Sequence, residues 1–92
     1  MEWKLFANLA ETAGGKRVDV DVEPGATVDE ALTALLDARP ELEADVVDDG
    51  ELNDHINILR NGKNVMLESG LDTEIEAGDE LALFPPVSGG SR

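Results

Sequence analysis

The stretch TVDEALTALLDARP, residues 27–40, has the pattern of one amphipathic helix with a marked beginning and a marked end. Thr27 and Glu30 are spaced as a capping box, in which the threonine hydroxyl accepts from the Glu30 amide and the glutamate reaches back to the Thr27 amide. Apolar residues recur at helical spacing and predict one buried stripe, which consists of Val28, Ala31, Leu32, Leu35 and Ala38. Pro40 disfavours helical geometry at Arg39, so the helix is predicted to end there.

Two strands are predicted before this helix, because apolar and polar residues alternate in EWKLFA (2–7) and in RVDVDV (17–22). The inward faces would carry Trp3, Leu5 and Ala7 in the first strand and Val18, Val20 and Val22 in the second. The segment between them is predicted as a loop that ends at Gly14-Gly15, with a helical turn over 9–12 left open. The two strands are therefore expected to form a hairpin.

Further strands are predicted after the helix. A second short helix is expected at 41–47, and HINILR (55–60) then alternates as a strand does. Asn61-Gly62, which follows it, is the strongest short hairpin signal in the chain. A returning strand is predicted at 64–67 and a last strand at 80–84, where Leu81 and Leu83 would face inward.

This order of elements predicts an α+β fold, with a mixed sheet of four to five strands and one main helix packed on one face. The last strand can lie parallel to the first through a right-handed crossover. The domain is expected to span residues 1–84, and residues 85–92 to form a flexible tail. Because one helix covers one face, the other face of the sheet must meet water or a partner.

Composition limits the function. The chain has 92 residues, no cysteine, one histidine and three aromatic residues, so disulfides, thiolate metal sites and cysteine nucleophiles are excluded within it. Its net charge of −14, from 21 acidic and 7 basic residues, argues against nucleic acid or an anionic membrane as a direct partner. Acidic residues spread along the whole chain indicate either adaptation to high salt or a surface for a basic partner, and the two can coexist.

The start of the chain lacks the basic and apolar regions of a signal peptide, and no run approaches the ~20 apolar residues that span a bilayer. The chain is therefore expected to be cytoplasmic. It is also expected to be a monomer without a bound cofactor or metal.

Three local patterns resemble catalytic, metal-binding or phosphate-binding sites, but none of them meets the requirements of such a site. His55 is alone, so an ordinary histidine at the start of a strand is favoured over a metal ligand or general base. The acidic segment DDGELND (48–54) does not fit a calcium loop, because a Gly50 in the sixth position puts Val47 and Ile56 where oxygen ligands are required. GGKR (14–17) lacks the spacing of a phosphate-binding loop, and a turn explains it. No catalytic residue is predicted.

One apolar surface is predicted on the sheet face away from the helix. If the strand alternation is right, four apolar residues point outward there, namely Phe6, Leu59, Ala82 and Phe84. An apolar patch in so acidic a surround is typical of a partner site. The alternatives are that loops cover these residues, or that the predicted phase of a strand is shifted by one residue.

The end of the chain, PPVSGGSR (85–92), offers little to pack. Glycine has no Cβ, so an extended Gly89-Gly90 segment can thread a channel too narrow for other residues. A carboxylate presented in such a channel can be activated by ATP as an acyl adenylate, and sulfide, a thiol or a lysine amine can then attack it. Since Ser91 and Arg92 follow Gly90, the prediction is that they are removed first. The alternative is a disordered end with chance glycines.

KLFANLAE (4–11), TVDEALTALL (27–36) and GDELALFPPVSGG (78–90) occur in the order and spacing of the sulfur-carrier branch of the ubiquitin-like β-grasp proteins. GDELALFPPVSGG resembles the ending of the small subunit of molybdopterin synthase. Together with DHINILRNG (54–62) and the acidic composition, the chain is most similar to the small archaeal modifier proteins of salt-loving archaea.

This resemblance implies a protein modifier whose Gly90 is adenylated by a ubiquitin-activating-type enzyme that uses ATP, and is then joined to target lysines. It equally implies an alternative, a sulfur carrier with a Gly90 thiocarboxylate that serves molybdopterin synthesis, with the large synthase subunit as partner, or tRNA thiolation. Gly89 would keep the tail thin, and Pro85, Pro86, Val87 and Ser88 would guide it. Removal of Ser91 and Arg92 implies a JAMM-type metalloprotease. A binding module with an idle tail is the third hypothesis. Lysines that could accept a second copy are Lys4, Lys16 and Lys63.

Overall fold

A computed structural model describes residues 1–48, 50–53 and 56–85 of the chain. Its main sheet has five strands in the order β2, β1, β7, β5, β6. They are β1 (Glu2–Leu5), β2 (Arg17–Asp19), β5 (Asn57–Arg60), β6 (Lys63–Asn64) and β7 (Glu80–Phe84). Strand β1 pairs antiparallel with β2 and parallel with β7, while β5 lies antiparallel to both β7 and β6. The predicted mixed sheet and the parallel pairing of its first and last strands are confirmed.

Within the described residues, three α-helices accompany this sheet: α1 (Asn8–Ala13), α2 (Val28–Ala38) and α3 (Glu43–Val46). Helix α2 begins at the predicted capping box, where Thr27 N donates to Glu30 Oε1 at 2.9 Å and Glu30 N donates to Thr27 Oγ1 at 3.2 Å. The open question at residues 9–12 is answered by α1, a helix that buries Leu9 and Ala13.

The core lies between the sheet and the helices. Trp3 is fully buried, and its indole Nε1 donates to the Ala31 carbonyl of α2 at 3.1 Å. This bond ties β1 to α2 over 28 residues of sequence. The other fully buried large side chains are Leu5, Leu9, Val28, Leu35, Leu42, Val46, Ile58, Val65, Ile75, Leu81 and Leu83. The predicted inward positions of β7, Leu81 and Leu83, are therefore confirmed.

Two predicted core positions are wrong. Ala38 is exposed, because the chain turns at Arg39 and the 3-10 helix Pro40–Leu42 buries Leu42 instead. Ala7 is also exposed: it adopts φ 55° and ψ −134°, which takes the chain out of β1 and into α1. Val22, beyond the end of β2, is half-buried rather than buried.

Two predicted boundaries also change. The returning strand after Asn61-Gly62 covers only Lys63–Asn64. It ends there because the Asn64 side chain accepts a hydrogen bond from the Met66 amide at 2.9 Å, and the 3-10 helix Val65–Leu67 follows. The acidic segment after α3 is not a plain loop. In it β3 (Val47–Asp48) pairs antiparallel with β4 (Glu51–Leu52) as a small separate sheet. Gly50 beside this turn has a φ of 83°, a conformation that glycine adopts readily.

Candidate docking face and C-terminal tail

An aromatic pair marks the outward face of the sheet. The rings of Phe6 and Phe84 are stacked, with centroids 4.1 Å apart and planes within 8° of parallel, and Phe6 is 38% exposed. Leu59 and Ala82 lie opposite each other in the β5–β7 register, and both are half-buried. The structure thus places all four predicted patch residues on the side of the sheet away from α2, which we call the docking face. That a partner binds it stays a prediction.

Ion pairs border this face. Lys4 Nζ lies 3.0 Å from Glu80 Oε2 across β1 and β7, and its side chain is 33% exposed. Arg17 Nη1 lies 3.9 Å from Glu2 Oε1 across β2 and β1. Both pairs are at the surface, where such pairs stabilise a fold by about 0–1 kcal/mol. They link β1 to its two neighbours, β7 and β2.

The predicted tail starts at the docking face. Phe84 is the last residue of β7, and the half-buried Pro85 follows it directly. The other predicted tail residues lie outside the described residues: Pro86, Val87, Ser88, Gly89, Gly90, Ser91 and Arg92. His55 also lies outside them. The described chain therefore ends one residue beyond the Phe6–Phe84 pair.

The three lysines proposed as acceptors differ in their surroundings. Lys4 is partly covered and engaged with Glu80, whereas Lys16 and Lys63 are exposed. Lys63 begins β6, immediately after the tight turn in which Asn61 and Gly62 have φ angles of 53° and 85°. These angles confirm the predicted Asn-Gly hairpin.

An ion-pair network supports the strand that leads to the tail, and the sequence did not reveal it. Arg60 Nε donates to Asp79 Oδ2 at 2.6 Å, and the same carboxylate accepts from the Glu76 amide at 2.7 Å and from Asn61 Nδ2 at 2.8 Å. Glu68 and Glu76 lie 3.5 Å and 3.9 Å from the Arg60 guanidinium. The network fixes the β5–β6 hairpin to the turn that begins β7.

The network also shifts two ionisation equilibria. Burial opposes ionisation of the Asp79 carboxyl, but the hydrogen bonds from the Glu76 amide, Arg60 and Asn61 outweigh it and hold its pKa below the usual range. The hydrogen bond to Asp79 raises the pKa of the Arg60 guanidinium, although burial acts against it. Both groups are therefore charged around neutral pH.

Within residues 1–48, 50–53 and 56–85, no group of three or more histidine or acidic side chains is placed to hold a metal ion. In the same part of the chain, no helix has the length and apolar character needed to cross a membrane.

The fold and the tail position define a class. A hairpin, a helix across one sheet face and a last strand parallel to the first form the ubiquitin-like β-grasp, with the tail leaving from the central strand. The chain belongs to the ThiS family, whose model matches residues 3–90 and so ends at Gly90.

Three relatives show more specifically which proteins the chain is similar to. Small archaeal modifier protein 1 of Haloferax volcanii is 62% identical over 91 residues, covering 98% of this chain and 100% of that protein. Its crystal structure matches with a TM-score of 0.87 and 60% identity over 98% of each chain. A putative sulfur carrier protein of Archaeoglobus fulgidus is 38% identical over 74 residues, which is 78% of this chain and 84% of that one. The BexX/CysO complex of Amycolatopsis orientalis contains a chain with a TM-score of 0.79 and 30% identity, over 97% of this chain and 98% of that one.

The chain is therefore a homologue of ubiquitin-like modifiers and sulfur carriers, which are not themselves enzymes.

Proposed function

We propose that the chain is a ubiquitin-like modifier that is joined to target lysines through the carboxylate of Gly90. The observation that carries this proposal is the 62% identity to a small archaeal modifier over the full length of that protein. The family match that stops at Gly90 supports it, since the tail then ends at the diglycine in the matched region. In this proposal the β-grasp domain of residues 1–84 is the part that other proteins bind, and residues 85–90 form the tail that carries the reactive carboxylate.

The chemistry proceeds in two steps on an activating enzyme. The Gly90 carboxylate attacks the α-phosphate of ATP, which gives an acyl adenylate and releases pyrophosphate. A lysine amine of the target then attacks the Gly90 carbonyl, AMP leaves, and the amine loses a proton to give an isopeptide bond. ATP is a substrate of the activating enzyme, and the modifier itself needs no bound cofactor. Without side chains at 89 and 90, the carbonyl is open to attack and the tail fits a narrow channel.

Ser91 and Arg92 must leave before the first step. Because they follow Gly90, its carbonyl is part of a peptide bond and offers no free carboxylate. Hydrolysis of the Gly90–Ser91 bond adds one water and exposes the diglycine. A JAMM-type metalloprotease is the proposed agent, in the cytoplasm, where ATP and the activating enzyme are available.

A sulfur carrier is the alternative function, and the 38% identity to a putative sulfur carrier favours it specifically. In this route sulfide displaces AMP from the same adenylate and leaves a Gly90 thiocarboxylate. The acceptor would be the large subunit of molybdopterin synthase, bound at the docking face, or an enzyme of tRNA thiolation. The two routes share the adenylate and diverge only at the attacking nucleophile, so one chain can serve both.

Blocking maturation tests the proposal. In a haloarchaeal host that carries an amino-terminally tagged chain, we expect the recovered protein to end at Gly90 and tagged conjugates to appear. S91P should retain residues 91–92 and form no conjugates, because proline hinders hydrolysis of the bond before it. S91A is the matched control and should behave as the original, while a chain encoded to end at Gly90 should bypass the block. Conjugation of S91P at the original level would overturn the maturation step, and absence of conjugates from the chain ending at Gly90 would overturn the modifier function.

A further inference from the structure

One groove of this acidic molecule is lined with cations. It has a volume of about 400 Å³, lies where β1 and β2 meet α1, and is bordered by Lys4, Phe6, Ala7, Lys16 and Arg17. We call it the basic groove. It adjoins the docking face, because Phe6 lines the groove and stacks on Phe84 at the root of the tail.

The charge of this groove is opposite to that of the molecule. The chain carries 7 basic residues against 21 acidic ones, and three of the basic residues line this groove, with no acidic residue among the described residues that line it. Three other surface grooves all contain carboxylates: Glu76 and Asp79 in one, Asp29 and Glu51 in the next, and Asp21 and Glu23 in the third. Such a concentration of cations attracts acidic groups selectively while the rest of the surface repels them.

The cations are unequally engaged. Lys4 and Arg17 pair with Glu80 and Glu2, but the Arg17 pair is long, at 3.9 Å, and its side chain is 64% exposed. In the described part of the chain, the exposed Lys16 side chain forms neither an ion pair nor a hydrogen bond. Lys16 and the guanidinium of Arg17 are therefore available to incoming carboxylates, and the planar guanidinium suits a two-point contact.

The backbone at the groove is strained. Ala7 lines it with φ 55° and ψ −134°, a conformation that is normally restricted to glycine. Strain of this kind is found preferentially at sites that bind ligands. Here it leaves Ala7 exposed beside Phe6 instead of continuing β1, and so gives the groove its apolar wall.

We propose that the basic groove binds an extended acidic segment of a partner protein, with carboxylates on Lys16 and Arg17 and an apolar side chain against Phe6. Charge complementarity selects this occupant: direct contacts are no longer than the Debye length of about 3 Å in molar salt, so salt weakens them less than it weakens the longer-range repulsion between acidic proteins. The small size of the cationic surface fits one segment, while the net charge repels a nucleic acid backbone. A partner seated there lies beside the start of the tail. The proposal does not depend on the chemistry of Gly90.

An NMR titration tests it. The probe is a short synthetic peptide that alternates glutamate and leucine, added to the uniformly ¹⁵N-labelled full chain in molar KCl. We expect amide shifts confined to residues 4–10 and 16–17. K16E/R17E should weaken binding about tenfold or more, whereas K63E, which reverses the charge of an exposed lysine on the far hairpin, should change it less than twofold. K16R should keep the affinity, and the dispersion of each spectrum shows whether the variant is folded.

Four results would overturn the proposal. The first is the absence of localised amide shifts at millimolar peptide. The second is a loss of affinity with K63E as large as that with K16E/R17E, which would mean that the peptide is attracted by overall charge and not by a site. The third is binding of inorganic phosphate, or of a peptide with serine in place of leucine, as tight as that of the glutamate-leucine peptide. Either result would show an anion site that makes no use of the apolar contact. Stronger binding of a lysine-leucine peptide in the same groove would also contradict it.

Discussion

The stacked Phe6 and Phe84 rings lead to a quantitative prediction about the root of the tail. Near-parallel rings with centroids 4.1 Å apart should contribute a coupling free energy of about 1 kcal/mol beyond the apolar area that each ring buries. A double-mutant cycle with F6A, F84A and the double variant isolates that term, because the single variants lose both burial and stacking. F6A alone should cost only about 1 kcal/mol, since Phe6 is 38% exposed, and F84A more, since that ring is better covered.

The assay is urea unfolding at a fixed molar KCl concentration, followed by the fluorescence of Trp3. This is the only tryptophan of the chain and is fully buried on the opposite side of the sheet, so the substitutions do not touch the probe. A parallel cycle of F84A with D37A is the control, because the exposed Asp37 lies on α2 across the sheet and should couple to Phe84 by nearly zero. A Phe6–Phe84 coupling below about 0.3 kcal/mol would refute the stacked pair, and with it the docking face as described.

Three further effects are expected. D79N should destabilise the fold by about 2 kcal/mol at neutral pH, against almost nothing for the exposed D72N, because Asp79 accepts three hydrogen bonds. The pKa of Asp79 is lower in the folded chain than the value of about 3.9 expected in the unfolded chain. The ionised Asp79 carboxylate therefore stabilises the fold above that unfolded pKa, and this stabilisation is lost as the pH falls through the folded pKa. Unfolding curves of D79N and the original chain should therefore converge below about pH 4, and a difference that persisted unchanged into strong acid would contradict this. T27A should cost about 1 kcal/mol in the same assay and T27S much less, because serine keeps the capping oxygen; equal losses would argue against the cap. Thermal melts should shift upward from dilute buffer to molar KCl, as screening relieves the net charge of −14, and equal melts would refute salt adaptation.

Much of the fold could be predicted because its signals are local. Thr27 and Glu30 form their capping box within four residues, Asn61-Gly62 determines its own turn, and the period-two alternation of residues 80–84 gives their inward side directly. The outward placement of Phe6 and Phe84 followed from the same alternation. Their stacking required the register of two strands that are far apart in sequence.

The features that were missed depend on tertiary contacts. Ala7 looked like the next inward residue of a strand, but its conformation is set by where α1 must begin. Ala38 fitted the helical stripe, but nothing in the stripe shows that Leu42 takes the buried place. Arg60 and Asp79 are 19 residues apart, and no local pattern pairs them. The basic groove likewise joins residues of β1, α1 and β2 that have no common motif.

The central claim is that Gly90 carries the reactive carboxylate, and one mass measurement tests it most directly. A chain encoded to end at Gly90 is incubated with ATP, the activating enzyme and either sulfide or a protein extract, beside a matched chain that ends at Gly89. Only the chain ending at Gly90 should change: its intact mass rises as sulfur replaces one oxygen, or target lysines carry residues 64–90 of the chain after trypsin digestion, because Lys63 is the last trypsin site before Gly90. An unchanged intact mass together with no modified lysine, or equal products from the chain that ends at Gly89, would contradict it.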